Sequence, residues 1–461
     1  MNPSPSASTA SPPVPQILDR LIRQAVARGA SDLHLEPGRK QIQVRERVDG
    51  ILRPVPGVPP VSGSALVSRI KVLAGMDIAV RMRPQDGGFP MVYRGRSFAL
   101  RVSTLPLEDG EKAVLRILAS DDTPSRLDEL GLDGSPLTRL RRILRGRQGV
   151  VLAAGPTGSG KSSTLSAAIA ELDREALNVV SLEDPIEYRM DGVSQVQVRP
   201  QAGLTFPTAL RAVLRQDPDV VMVGEIRDRE TAEIAMGAAI TGHLVLSTVH
   251  TMDAPSGIAR LLQMGVPPYL VAGGLAGIVA QRLVRRICVS CQGDPAGCSR
   301  CPDGYRGRTG IFQVLTMNEA LREEIVRGAP TALLRRRARG AGMGSMAEDA
   351  RRKVAEGVTS PHEVARVLRE DPGTVFPCRR CQAPVPPEAA GCPFCGGPTA
   401  PHCSCGERLR REWHYCPSCL RQAPPTPEES VGPEASVAHP VRSPLLAPPL
   451  NQLRKEPKRT Q

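Results

Sequence analysis

Residues 149–172 read GVVLAAGPTGSGKSSTLSAAIAEL: an unbroken apolar run, a glycine-rich turn, then a helix-forming segment. The turn matches G-x-x-x-x-G-K-[ST] from Gly155 to Ser162, and it stands between a strand and a helix, where phosphate binding requires it. Glycines let backbone N–H groups wrap the phosphates, Lys161 reaches the β and γ phosphates, and the Ser162 hydroxyl can ligate Mg²⁺. Nucleotide contacts are therefore expected from Gly155, Pro156, Thr157, Gly158, Ser159, Gly160, Lys161, Ser162 and Ser163. A chance glycine-rich turn is the bland alternative, and the flanking strand and helix argue against it.

Downstream, NVVSLED, VVMVGE and HLVLSTVH repeat the nearly continuous apolar run and alternate with helices. Such runs suit a parallel sheet covered on both faces, so the fold class is α/β. Helical patterning is expected from there to about residue 370. Hydrolysis also needs acidic groups near the metal and the attacking water. LEDPIEY supplies Glu183, Asp184 and Glu187, and Glu225 directly follows an apolar strand. Carboxyl ends of parallel strands are where ligands bind in open α/β sheets. Glu183 and Glu187 read equally well as salt-bridge partners on a loop; Glu225 is the stronger candidate. His250 falls at the carboxyl end of its strand, within reach of a γ-phosphate, whereas His243 falls at the opposite end and reads as structural.

Upstream, the Ser/Pro-rich start MNPSPSASTASPPVP (1–15) reads as disordered. Ile17, Leu21, Ile22 and Ala25 keep helical spacing before Gly29, and LHLEP, QIQVRERVDG and RSFALRVSTLP alternate like half-buried strands. An α+β domain over 16–120 follows, with a turn-rich, acidic linker at 121–138. The start lacks the charged and apolar regions of a signal peptide, and no run of about eighteen apolar residues could span a bilayer. A cytoplasmic protein is expected. In that reducing compartment the twelve cysteines, which fall into six close pairs, read as metal ligands rather than disulfides. The net charge of +13 favours polyanionic partners, but only 3% of residues are aromatic, so stacking platforms for single strands are scarce.

At this point the constellation resembles the secretion and type IV pilus ATPases, the GspE/PilB/PilT superfamily. ASDLHLEP, RVDG, KVLAGMDIA, RPQDG and LRVSTLP are similar to that family's PAS-like N-terminal domain. GPTGSGKS, LEDPIEY, GLTFPTALRAVLRQDPDVVMVGEIRD and TGHLVLSTVHT resemble its Walker A, Asp, Walker B and His boxes, in order, and QRLVRRIC and GMGSMAEDARRKVAEGVTSPHEVARV resemble its closing subdomain. The resemblance covers about residues 16 to 370. It implies a PAS-like α+β domain, a RecA-like P-loop ATPase domain over 139–370, and small zinc modules. It further implies ATP with Mg²⁺, and a homo-hexameric motor that drives type II secretion or type IV pilus assembly. Such a motor would sit at the cytoplasmic face of the inner membrane and pass domain motions to a platform protein there. By resemblance, Glu225 is the water-orienting or general base, Glu183 and Glu187 are the Asp-box acids, and His250 is the His-box sensor. Arg81, Arg101 and Arg116 lie in motifs whose arginines reach the phosphates when the domains close; for Arg116 a surface ion pair is an equal alternative.

The paired-cysteine insert belongs to the assembly and secretion members, and Cys288, Cys291, Cys298 and Cys301 match it. Two C-x-x-C knuckles supply four thiolates for a structural Zn²⁺ with no open position. A redox dithiol would need thioredoxin-like surroundings, which the sequence lacks. Gly88 departs from the family, replacing the arginine of QDGR, and the chain starts almost directly at the PAS-like domain, without the additional docking module of many assembly ATPases. It also carries two further four-cysteine units, at Cys378, Cys381, Cys392 and Cys395, then Cys403, Cys405, Cys416 and Cys419. They resemble a double zinc ribbon at 376–420, with His402 or His414 as substitute ligands, followed by a disordered Pro-rich tail at 421–461. A protein partner is the expected occupant of that ribbon. Nucleic acid, gripped by Arg379, Arg380, Arg408, Arg410 and Arg411 in a DNA-translocating or DNA-binding ATPase, is the alternative.

Overall fold

The computed structural model describes residues 12–39, 41–58, 62–119 and 126–368, with 376–377, 384–385, 392 and 396–397. The chain divides into two compact units, Met1–Ala389 and Ala390–Gln461. The first holds a six-stranded sheet, a seven-stranded sheet and a short two-stranded one, Phe376–Pro377 with Pro384–Val385.

The N-terminal sheet has six antiparallel strands. In chain order its elements are α1 (Val14–Ala27), β1 (Ala30–Glu36), β2 (Gln43–Val48), β3 (Ile51–Pro54), α2 (Gly63–Leu73), β4 (Gln85–Tyr93), β5 (Arg96–Leu107) and β6 (Gly110–Ala119). They order as β3-β2-β1-β6-β5-β4. Helix α1 buries Ile17, Leu18, Leu21, Ile22 and Ala25, the 3.6-residue stripe legible in sequence, and Gly29 at φ 71° ends it. Leu33 and Leu35 of β1 face that core with Leu66, Val67 and Ile70 of α2. The opposite face carries a cross-strand row, Gly88, Arg101, Arg116, Asp32 and Arg47, set by the register of β4, β5, β6, β1 and β2.

The second sheet has seven strands. Its elements are α3 (Gly134–Arg145), β7 (Gly149–Ala154), α4 (Lys161–Ala170), β8 (Val179–Glu183), β9 (Val193–Gln197), α5 (Phe206–Val213), β10 (Val220–Val223), α6 (Arg229–Ile240), β11 (Leu244–Val249), α7 (Ala254–Gln263), α8 (Pro268–Gly274), β12 (Leu275–Ile287) and β13 (Tyr305–Thr316). Helices α9 (Glu319–Val326), α10 (Thr331–Gly340), α11 (Met346–Ala355) and α12 (Pro361–Val367) follow. The order β13-β12-β7-β11-β10-β8-β9 is parallel except for the antiparallel pair β12/β13. Every residue of β7, β8, β10 and β11 is buried, as their apolar runs require.

Two expectations from sequence are corrected. Helical patterning does not run unbroken to 370, because Leu275–Ile287 and Tyr305–Thr316 form a long hairpin. LAGIVAQRLVRRI fits either period, and burial beside β7 selects the strand. The linker does not extend to 138: α3 starts at Gly134, and Leu127 and Leu132 are buried in the core of the seven-stranded sheet. Turn formers there mark a tight entry into the domain rather than a free connector.

Candidate active site

Adjacent strands of the parallel sheet end side by side: β7 in the P-loop, β11 at His250, β10 just before Glu225 and β8 at Glu183. The P-loop is tight. Gly158 and Gly160 have φ of 76° and 87°, and a Cβ on Gly155 would lie 2.4 Å from Ser159 Oγ. Only glycine accepts such contacts while turning its N–H groups into the loop. Lys161, at the start of α4, donates through Nζ to the Gly155 and Pro156 carbonyls at 3.0 Å each. Burial lowers its pKa, opposed by the charge of Glu225. Gln281 of β12 closes the floor, its Nε2 donating to Ser159 O at 2.8 Å.

Glu225 is locked from both sides. The Gly224 N–H donates to Leu182 O at 2.7 Å, and Thr248 Oγ1 donates to Gly224 O at 2.8 Å. Three residues further on, Asp228 caps α6 by accepting from Thr231 N at 2.8 Å. His250 repeats that arrangement: Asp253, three residues on, caps α7 at Ser256 N and also pairs with Arg335 at 2.7 Å. The Glu225 carboxylate lies 2.5 Å from Arg227 and 3.9 Å from His250 Nε2. Burial lowers the His250 pKa below its ordinary 6.5, reinforced by Lys161 and opposed by Glu225. His243 lies at the far end of β11, its Nδ1 2.9 Å from Ala238 O.

The two Asp-box acids differ. Glu183 is buried and accepts from Ser181 Oγ at 2.7 Å and Gln195 Nε2 at 3.0 Å, which orients it, while Glu187 is exposed. The three arginines also differ. Arg101 crosses from the N-terminal sheet to donate to Ile186 O at 2.9 Å, in the field of Glu187. Arg116 pairs with Asp32 of its own domain at 3.0 Å, the ion pair that the sequence offered beside a phosphate-directed role. Arg81 lies on the exposed segment between α2 and β4.

Cys288, Cys291, Cys298 and Cys301 meet at the tip of the β12/β13 hairpin, their sulfurs all within 4.8 Å of one another. Arg300 N–H points at Cys298 Sγ at 3.4 Å, and the Ser290 backbone N–H heads the contacts that pull the Cys288 thiol down, while burial pushes the neighbouring Cys291 thiol up. Four converging sulfurs met by N–H donors fit Zn²⁺, which would be held by these thiolates as a structural ion. Below the tip, Asp303 bridges Arg53 of β3 and Arg285 of β12 at 2.6 Å each, Arg285 continues to Glu363 at 3.0 Å, and Gly307 N–H donates to Asp49 Oδ2 at 2.8 Å. The hairpin is thus where the N-terminal sheet rests on the ATPase domain. A Cys291→Ser chain is expected to carry one zinc fewer than wild type by elemental analysis, and to melt lower as the Asp303 bridge loosens.

Of the tail cysteines, Cys378, Cys381, Cys395, Cys403, Cys405, Cys416 and Cys419 lie outside the described residues. Cys392 is described and buried, and Gly396, at φ 69°, donates its N–H to Cys392 O at 2.8 Å. Asp303 is not legible in sequence as a contact residue, because no local motif announces a bond made between domains.

A sequence profile of the family described as Type II/IV secretion system protein matches residues 7–366. The chain is 46% identical over 365 residues to the Pseudomonas aeruginosa Type II secretion system protein HxcR, covering 78% of each. It is 42% identical over 383 residues to the Vibrio cholerae Type II secretion system ATPase E, covering 78% of this chain and 76% of that protein. The X-ray structure of the Legionella pneumophila ATPase DotB is similar in fold, with a TM-score of 0.61 at 24% identity, over 77% of this chain and 96% of that one.

Proposed function

The chain belongs to the type II/IV secretion system protein family, and from that premise we propose that its ATP hydrolysis drives assembly of a secretion pseudopilus or type IV pilus. The enzyme is a P-loop ATPase that uses ATP and Mg²⁺. Gly155–Ser162 hold the triphosphate, Lys161 neutralises its terminal phosphates, and the Ser162 hydroxyl is the protein's ligand for Mg²⁺. The metal, when bound, offsets charge on the phosphate oxygens. Glu225 orients the attacking water, with Glu183 and Glu187 beside it and His250 sensing the γ-phosphate.

The observation that carries the reading is the Arg101 bond to Ile186 O, beside the nucleotide cleft. It places an arginine of one domain against the acidic loop of the other, so closure of the PAS-like domain couples charge stabilisation to movement. Arg81 is a second arginine for that closure, and Arg116 a third if it leaves Asp32. Repeated firing around a homo-hexamer would pass these steps to an inner-membrane platform protein, with the enzyme peripheral at the cytoplasmic face. Among the described residues no helix is long and apolar enough to cross a membrane.

The test is co-purification of a full-length Glu225→Gln chain from nuclease-treated native membranes, with mass spectrometry of the eluate. A polytopic inner-membrane protein is expected, together with a solution mass near six times the 49.4 kDa chain in ATP. An eluate with no membrane protein, whose partners are recovered only when the nuclease is omitted, would defeat the reading.

A further inference from the structure

Met76–Pro84 joins α2 to β4 without regular structure and displays Arg81 and Arg83, beside a Met82 that is 85% exposed. Exposed connections of this kind ordinarily sample many conformations. This one is gripped, most tightly at the Val80 carbonyl. Lys71, in the last turn of α2, is only 1% exposed, and its Nζ donates to Val80 O at 2.7 Å and to the Glu111 carboxylate at the β5/β6 turn. Gln85 holds the same carbonyl from the other side, donating to Val80 O and to Asp77 O at 2.9 Å each and accepting the Asp77 N–H at 3.0 Å. Asp77 Oδ1 in turn accepts the Ala79 N–H at 2.8 Å. The gripped residue directly precedes Arg81.

Burying an ammonium costs several kcal/mol that an aliphatic side chain would not. The other inward residues of α2 are Leu66, Val67 and Ile70, so packing alone gives no reason for a lysine at 71. We propose that Lys71 is a positioning residue for ATP hydrolysis: its buried ammonium, with the Gln85 amide, fixes the backbone from Asp77 to Val80, directly before Arg81, so that Arg81 meets the phosphates in one geometry on closure. This rests on the reading of Arg81 as a phosphate-directed arginine. The grip removes conformational entropy before turnover rather than during it, and misplacing a charge-stabilising group by about 1 Å costs on the order of 10²-fold in rate.

A double-mutant cycle of Lys71→Met and Arg81→Ala in the full-length chain separates this role from a merely stabilising one, reading kcat and the affinity of a fluorescent ATP analogue. Each single variant is expected to lose on the order of 10²-fold in kcat with analogue affinity changed less than about twofold. The double variant should be no slower than Arg81→Ala alone. Independent, multiplying losses would overturn the proposal. A slow Arg81→Ala beside a wild-type Lys71→Met rate would sink the Lys71 role alone, whereas an unaffected Arg81→Ala would sink the reading of Arg81 and the proposal with it. If Lys71→Met does not fold, Gln85→Met, which removes the second donor to Val80 and leaves the buried pair intact, runs through the same cycle and is judged by the same outcomes.

Discussion

Replacing Glu225 with glutamine is expected to lower kcat for ATP hydrolysis by on the order of 10²–10⁴-fold while ATP binding persists. The amide keeps the shape of the side chain but cannot take a proton or hold an attacking water as a carboxylate does. The backbone that presents it, fixed by Leu182 O and Thr248 Oγ1, is untouched, and so is the P-loop that holds the triphosphate. Loss should therefore fall on kcat and leave KM within about threefold, the signature of an interaction made chiefly in the transition state. Arg227, 2.5 Å from the carboxylate, is a partner rather than an acid or base, and Arg227→Ala should cost less than Glu225→Gln. Steady-state turnover together with equilibrium nucleotide binding decides the matter. A Glu225→Gln enzyme with more than about a tenth of wild-type turnover would move the role to Glu183 or Glu187.

Glu363→Ala is expected to be the most destabilising single change outside the nucleotide site, at about 3–5 kcal/mol. The carboxylate is fully buried and accepts from Arg285 at 3.0 Å and from Arg366 at 2.5 and 3.0 Å. Removing it leaves Arg285, itself 6% exposed, with one anionic partner in Asp303. Burial alone would raise the Glu363 carboxyl, yet the hydrogen bonds and charges of Arg366 and Arg285 together bring it to about 2, against an ordinary 4.5. A depressed carboxyl contributes stability that is complete above the unfolded value and is lost as pH falls through the folded one. Glu36, held at about 2 by Arg45 and Lys112, acts in the same direction. Thermal melts should thus weaken progressively from about pH 4.5 toward pH 2. The Glu363→Ala chain should melt about 10 °C lower at pH 7 and lose less on acidification, since one of the responsible groups is gone. Equal acid sensitivity in both chains would show that the network contributes nothing through ionisation.

Why the nucleotide site is legible in the sequence and the domain contacts are not follows from how far each interaction reaches along the chain. Gly155–Ser162, Glu225 and His250 sit at strand ends announced by local apolar runs, and parallel pairing then brings those ends together. The C-x-x-C spacing likewise gathers four sulfurs from within fourteen consecutive residues, 288 to 301, so its meaning is local too. The hairpin of β12 and β13 reads as helix in sequence because a fully buried strand and a buried helix share one composition, and only the register beside β7 separates them. Arg116 and Arg101 face the same side of one sheet, and their motifs do not distinguish them. Tertiary packing gives Asp32 to the first and Ile186 O to the second.

By itself the sequence determined the phosphate loop, the parallel sheet behind it, the acidic and histidine residues at strand ends and the four-cysteine cluster, because each rests on spacing within a few residues or on a run of apolar side chains. The tertiary structure alone decided which arginine crosses to the acidic loop, that Asp303 ties Arg53 to Arg285, and that a buried Lys71 grips the segment of Arg81. Those contacts join residues 40 to 250 positions apart through one polar atom each, or are made by a turn whose fold depends on them, and neither periodicity nor composition carries a trace of such a pairing.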